Sequence, residues 1–202
     1  MKKDIIVALA AYITLFVISF YMSIILGLGK AESHHDPFSL WMYGRRLIMI
    51  ICAILIPLLT RKETLAHIGW KTSIRWVLIA TGVGIVMGFN NKGGFDPTKP
   101  IAIVLALFHA FATELFFRRY LFKTFSVSFQ NAWTPLLLSS FLYGCFYLTV
   151  WTTWAQPLGG KIAFVILFTL LGSIFAYGYK KSGSFLVPWM MHFFAVLKYR
   201  AF

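Results

Sequence analysis

"FHAFATELFFRRYLF", Phe108 to Phe122, places one acid, Glu114, and two arginines, Arg118 and Arg119, inside an otherwise apolar run. A charged group at the centre of a membrane helix costs on the order of 2.5–3.5 kcal/mol, so an ionisable residue there is a functional candidate by default. Glu114 and Arg118 are four residues apart, about 40° around a helix axis, close enough to pair. Two readings stand from this spacing: an internal ion pair that locks a bundle, or an acid kept for chemistry.

The surrounding chain is a membrane chain. Of 202 residues, 59% are hydrophobic and 12% charged, and the mean hydropathy is +0.77. Soluble domains carry roughly 25% charged residues. Apolar segments fall at about 5–28, 40–60, 76–89, 101–122, 133–154, 161–179 and 184–197. The third and seventh are short for a full crossing, which needs about 17 residues or more. Breakers such as "HHDPFS", "NNKGGFDPTKP", "TFSVSFQN", "AQPLGGK" and "YKKSGS" separate the segments. No ten-residue alternation of the transmembrane-barrel kind persists. The expected fold is therefore all-α, a polytopic transmembrane bundle of about seven (six to eight) helices, in a single integral membrane domain over residues 1–202. The stretch "MKKDIIVALAAYITLFVISFYMSIILGLG" opens on basic residues, but its apolar run exceeds a signal peptide's core, so it reads as a retained first helix.

The net charge of +13 comes from lysines and arginines dispersed between apolar runs. That distribution suits anionic lipid head groups better than nucleic acid, which is not an expected partner. With seven crossings, eleven Lys and Arg fall on the N-terminal side, Arg118 and Arg119 among them. Eight fall on the other side, Arg45 and Arg46 among them. The excess points to a cytoplasmic N-terminus in the cell membrane.

Among six acids, Asp4, Glu32, Asp36, Glu63 and Asp96 lie at termini or in loops, and only Glu114 lies within a span. His34, His35 and His67 read as solvated loop residues. His109 stands five residues before Glu114, about 140° round the helix, and reads as a buried histidine with its own partner rather than a site member. His192, in "LVPWMMHFFAV", is the polar exception in the last apolar segment and needs a partner inside the bundle. Cys52 and Cys145 lack metal-ligand spacing and read as buried thiols. No cofactor is expected, and a divalent metal has no convincing ligand set.

Three motifs resemble a known family. "TELFFRRYLF" is similar to the first motif of the CPBP family, the CAAX-protease and bacteriocin-processing (Abi) proteins, which usually reads Glu-Glu-x-x-x-Arg. "SSFLYGCFYL", Ser139 to Leu148, resembles the second, an aromatic-Gly-x-x-His pattern. "GSFLVPWMMHFFAV", Gly183 to Val196, resembles the third, His-x-x-x-Asn after a small-residue turn and a proline. The likeness covers about residues 100–198. It implies an intramembrane endopeptidase fold whose glutamates, histidines and asparagine activate water for attack on a peptide bond. Carried over position by position, it gives Glu114, Arg118 and His192 as retained site residues. Thr113, Tyr147 and Val196 stand where the first glutamate, the second-motif histidine and the asparagine belong. A threonine hydroxyl is not a useful base at neutral pH, and tyrosine, with a reference pKa of about 10, is normally protonated. The resemblance thus implies an incomplete proteolytic site. The expected role is binding or regulating a membrane or envelope protein or peptide, as a scaffold or in bacteriocin immunity. The rival is an active endopeptidase using Glu114 and His192.

Overall fold

A computed structural model describes residues 2–28, 40–61, 69–89, 94–131 and 133–199. The loop residues Glu32, His34, His35, Asp36, Glu63 and His67 lie outside these. Among the described residues the chain is helical, with only isolated bridges pairing Phe89 with Tyr199 and Phe95 with Leu197. The main helices are α1 (Lys2–Phe20), α2 (Leu40–Arg61), α3 (Ile74–Gly88) and α4 (Pro100–Glu114). They are followed by α5 (Lys123–Ser128), α6 (Thr134–Phe146), a single turn α7 (Trp151–Trp154), α8 (Leu158–Ser182) and α9 (Leu186–Ala195).

Four helical stretches are long and apolar enough to cross a membrane: Lys3–Ile25, Trp41–Thr60, Pro100–Ser128 and Leu158–Ser182. Three shorter apolar helices, Ile74–Gly88, Thr134–Thr149 and Leu186–Ala195, pack among them. The fold is a helical membrane bundle. Its outer faces carry apolar side chains in helical register. On α8, Leu158, Ile162, Ile166, Leu170 and Ile174 recur every fourth residue and are all exposed; on α2, Leu47, Ile51 and Leu55 do the same. A soluble protein would bury such stripes. Here the polar residues are inside, with Glu114, Arg118, Ser139, Ser140 and Ser184 fully buried.

Two segment boundaries differ from the hydropathy reading. The fourth segment does not stop at 122, because α5 continues through "KTFSVS" with Thr124 and Phe125 buried. Thr124 Oγ1 donates to the Tyr120 carbonyl, satisfying its hydroxyl along its own helix. The fifth segment is not one helix to 154. It leaves α-helix at Phe146, passes through a 3₁₀ turn at Tyr147–Thr149 and restarts as α7. Helix α9 remains short: ten residues rise about 15 Å, half a hydrocarbon core.

Close helix approach replaces the hydrophobic effect as the cohesive device in lipid. Gly84 and Gly88 on α3 face α9 so closely that a Cβ would lie 2.6 Å from the Met191 carbonyl oxygen at Gly84 and 2.7 Å from that of Phe194 at Gly88. Side-chain bonds then fix the register of the helices that carry the third motif. The turn between α8 and α9 ends α8 at Gly183, whose φ of 67° is the left-handed conformation glycine tolerates. It is pinned by the Gly69 carbonyl, which accepts from the Phe185 N–H at 2.9 Å and from Ser184 Oγ at 2.9 Å. Trp189 Nε1 donates to the Leu107 carbonyl at 3.1 Å, tying α9 to α4.

Arg45 and Arg46 are not loop charges. They lie in the first turns of α2 and are 4% and 6% exposed. Arg118 and Arg119 are likewise buried, so none of the four marks a membrane side. Cys52 and Cys145 are free and half-buried rather than fully enclosed.

Candidate functional site

The opening stretch has an unusual backbone. Helix α4 ends at Glu114, and Leu115–Phe122 follows as eight residues of π-helix, all of them buried. Wider π turns are rare and occur often at functional sites, because they re-aim side chains that a regular helix would fix. Here the widening begins where the motif's acid gives way to its arginines.

Glu114 is fully buried and sits between the imidazole of His192 and the guanidinium of Arg118. Its Oε1 lies 2.7 Å from His192 Nδ1 on α9. A carboxylate can only accept, so Nδ1–H donates. Its Oε2 lies 3.2 Å from Arg118 Nε, off the line of a straight hydrogen bond, so attraction of opposite charges holds that contact. Arg118 Nη1 and Nη2 find no hydrogen-bond partner among the described residues. The guanidinium instead lies over the Tyr143 ring, its carbon 4.9 Å from the centroid. Gly172 on α8 leaves the space it occupies: a Cβ there would come within 3.1 Å of Nη2 and 2.9 Å of Tyr143 Cδ1. His192 is clamped as well, stacked on Phe175 with ring centroids 5.1 Å apart and 11° between planes.

Two cavities adjoin this cluster. The first, about 140 Å³, is lined by Met42, Arg45, Arg46, Met49, His109, Thr113, Phe146, Tyr147 and Val150. The second, about 290 Å³, is lined by residues including Tyr143, Tyr147, Phe168, His192 and Val196. Tyr147 borders both. It stacks on Phe168 at 3.5 Å, and its hydroxyl lies 3.2 Å from that of Tyr143. The structure therefore brings Glu114, Arg118 and His192 into one ionic cluster, and gathers Thr113, Tyr147 and Val196 around the neighbouring cavities. Glu114 and Arg118 line neither cavity.

Thr113 points its hydroxyl back along its helix, donating to the His109 carbonyl at 2.8 Å. Val196 ends α9, and its carbonyl accepts from the Phe95 N–H at 2.7 Å. Its side chain adds only apolar surface to the second cavity.

His109 corrects the angular argument from the helical wheel. It faces away from Glu114, yet both residues reach His192, which lies on the facing helix between them. Glu114 does so by a hydrogen bond; His109 does so edge-on, with centroids 5.3 Å apart and 86° between planes. The expected private partner of His109 is Arg46, whose Nε donates to His109 Nδ1 at 2.8 Å and whose Nη2 also touches that nitrogen. Arg45 and Arg46 were the residues missed as site members. Their place in the first turns of an apolar segment was the available signal. Among the described residues, no three His, Cys, Asp or Glu side chains cluster as metal ligands, and both oxygens of Glu114 are already engaged.

The three-motif resemblance is matched by a family profile. Residues 97–197 fit the family described as "Type II CAAX prenyl endopeptidase Rce1-like". The chain belongs to that family. No curated protein and no solved structure gives a significant match. Within the Rce1-like stretch lie α4, the π segment, α5, α6, α8 and α9, and hence the whole Glu114–His192–Arg118 cluster. The two arginines on α2 are supplied from outside it.

Proposed function

We propose that this chain is a non-hydrolysing Rce1-like membrane protein that keeps the family's cavity to bind a membrane or envelope peptide or protein. The observation carrying this reading is the location of charge. The position of the family's first glutamate holds Thr113, whose hydroxyl is spent on its own helix. The remaining carboxylate, Glu114, is shut away from both cavities with both oxygens engaged. Water in either cavity meets no carboxylate base among the described residues. A carboxylate acting as general base must lie within about 2.6–3.2 Å of the proton it takes.

The ionic cluster then serves structure: it fixes α9 against α4 and holds the cavity open. A scaffold or bacteriocin-immunity-like role fits this description. We place the protein in the cell membrane with a cytoplasmic N-terminus, since removing the four buried arginines takes two charges from each side and preserves the N-terminal excess. Its partners are the bilayer and a peptide, not nucleic acid, and no cofactor or metal enters.

One observation favours the rival, active reading: His192 lines the second cavity and is oriented by Glu114 as a carboxylate orients a catalytic imidazole. One assay decides between the two. The purified protein in detergent is incubated with prenylated and unprenylated peptides and the products are followed by mass spectrometry. We expect no cleavage, and gained cleavage in Thr113→Glu/Tyr147→His. Cleavage by the unaltered protein that disappears in His192→Ala overturns the proposal.

A further inference from the structure

We infer that the cleft between the end of α5, the start of α6 and the end of α8 is a binding site for the head group of an anionic glycerophospholipid. The cleft is separate from the two cavities beside the ionic cluster, and its occupancy is independent of the proposed peptide-binding role.

Its depth follows from the rings around it. Trp133 and Tyr177 are 57% and 46% exposed, and Lys180 and Lys181 lie over them, Nζ 4.9 and 5.7 Å from the ring centroids. Tryptophan, tyrosine and lysine so placed sit at head-group level, with lysine stems along apolar surface and ammonium groups in the interface. Its side follows from helix order. α1 crosses and α2 returns, so the connection from α2 to α3 lies at the N-terminal end of the bundle. Gly69 in that connection accepts from the Phe185 N–H just beyond α8. The cleft therefore opens on the side with the lysine and arginine excess, placed above as cytoplasmic, where the leaflet is anionic.

Its chemistry is graded. At about 410 Å³ it is larger than either cavity beside the ionic cluster and falls in the range of small-molecule sites, about 300–1,000 Å³. Lys123 and Lys180 bring ammonium groups to it from two different helices, and Gln130 and Asn131 bring amides able to bond phosphate or glycerol oxygens. An ammonium has three N–H donors, so contact with a ring or another acceptor does not exhaust it. Phe122 and Phe129 add apolar wall. Deeper along α6, Trp133, Leu137 and Phe141 recur every fourth residue and are all more than half exposed, a track for an acyl chain. Charge, then amide, then apolar track is the order of groups along a phospholipid.

Dioleoyl phosphatidylglycerol and dioleoyl phosphatidylcholine serve as probes, with the same acyl chains and different head-group charge. Native mass spectrometry of the purified protein, titrated with each in a neutral detergent, gives the affinity of the first lipid bound. At the strength of a basic side chain near a membrane surface, two lysines favour the anionic lipid about thirtyfold. That preference is expected to vanish in Lys123→Gln/Lys180→Gln. It is expected to persist in Lys99→Gln/Lys198→Gln, which removes the same charge from the opposite end of the bundle. Gln130→Glu leaves both lysines in place and is expected to lower the preference about fivefold, so the test stays decisive if the lysine pair is needed for folding. No preference, a preference undiminished in Gln130→Glu or in the Lys123/Lys180 variant, or an equal loss in the opposite-end variant overturns the inference. So does displacement of the lipid by inorganic phosphate, which would make the occupant a free anion.

Discussion

Removing the carboxylate of Glu114 leaves Arg118 as a fully buried cation with no opposite charge beside it among the described residues. Breaking a buried pair from one side costs about 3–5 kcal/mol. His192 also loses the acceptor for its Nδ1–H, worth a further ~1–3 kcal/mol if left unsatisfied. The two partners are not equivalent. A guanidinium cannot shed its proton inside a protein, whereas a stranded carboxylate can take one up. Glu114→Ala is therefore expected to be more destabilising than Arg118→Ala, in which Oε1 keeps His192. The double substitution Glu114→Gln/Arg118→Met removes both charges, fills similar volume and retains an amide oxygen for His192. It is expected to recover most of the loss, to within about 1–2 kcal/mol of the unaltered protein. Equilibrium unfolding in mixed detergent micelles, followed by tryptophan fluorescence, measures each variant. On the scale of a domain of this size, a loss of 3–5 kcal/mol moves the midpoint by roughly 6–20 °C in a thermal scan. Stability of Glu114→Ala within about 1 kcal/mol of the unaltered protein would refute the ionic core, as would a double variant as unstable as the two single losses added together.

Three further outcomes follow from the same geometry. Gly144→Ala places a Cβ 2.3 Å from Thr169 Oγ1 and 2.5 Å from the Val165 carbonyl; backbone must move, and a loss of about 1–3 kcal/mol or more is expected in the same unfolding assay. Gly172→Ala meets the Tyr143 ring and Arg118 Nη2, so it should destabilise the protein but do so less in an Arg118→Met background, which a thermal-shift double-mutant cycle detects. Asp96 is half-buried in the loop before α4, and hydrogen bonds from Thr98 Oγ1 at 2.7 Å and Thr98 N–H at 3.0 Å hold its carboxyl below the usual range. A depressed value adds stability that is present above the unfolded pKa and lost as pH falls through the folded one. Between pH 5 and 3 the unaltered protein should therefore lose a small increment of thermal stability that Asp96→Asn does not lose.

The helices were legible because lipid leaves one solution for the backbone, so apolar runs of the right length declare themselves. The motifs singled out Glu114, Arg118 and His192 without showing that they meet, and the bond between Glu114 and His192 is what an intramembrane acid and base needing partners demand. What the sequence hid was tertiary. Arg45 and Arg46 look like charges at a segment's edge, and tertiary contacts turn them inward, Arg45 to Thr149 and Phe146 and Arg46 to His109 on α4. His109 lies on the wrong side of a helical wheel for Glu114, but a wheel describes one helix and not the residue standing opposite it. The π stretch after Glu114 left no mark in the pattern, since hydrophobic runs do not distinguish a π turn from an α turn.

Under the proposed non-hydrolysing role, the substitutions also bear on which positions of the motif the bundle can spare. In the family's motif the two adjacent acids have different surroundings to face, because consecutive residues of a helix point about 100° apart. Glu114 points at α9 and is needed there to balance Arg118 and to fix His192. Position 113 points at the first cavity, where a threonine satisfies its hydroxyl locally and disturbs nothing. Chemistry and architecture are thus separable in this motif: the architectural acid cannot be dropped without stranding a buried arginine, whereas the cavity-facing acid can. A chain that stopped hydrolysing would be expected to lose position 113 and keep position 114, and this chain has that pattern. The reverse combination, an acid at 113 with Glu114→Thr, should fail to fold even though it restores a carboxylate to the cavity. A stably folded protein from that exchange would show that the ionic core is dispensable and that the two roles are not divided between the two positions.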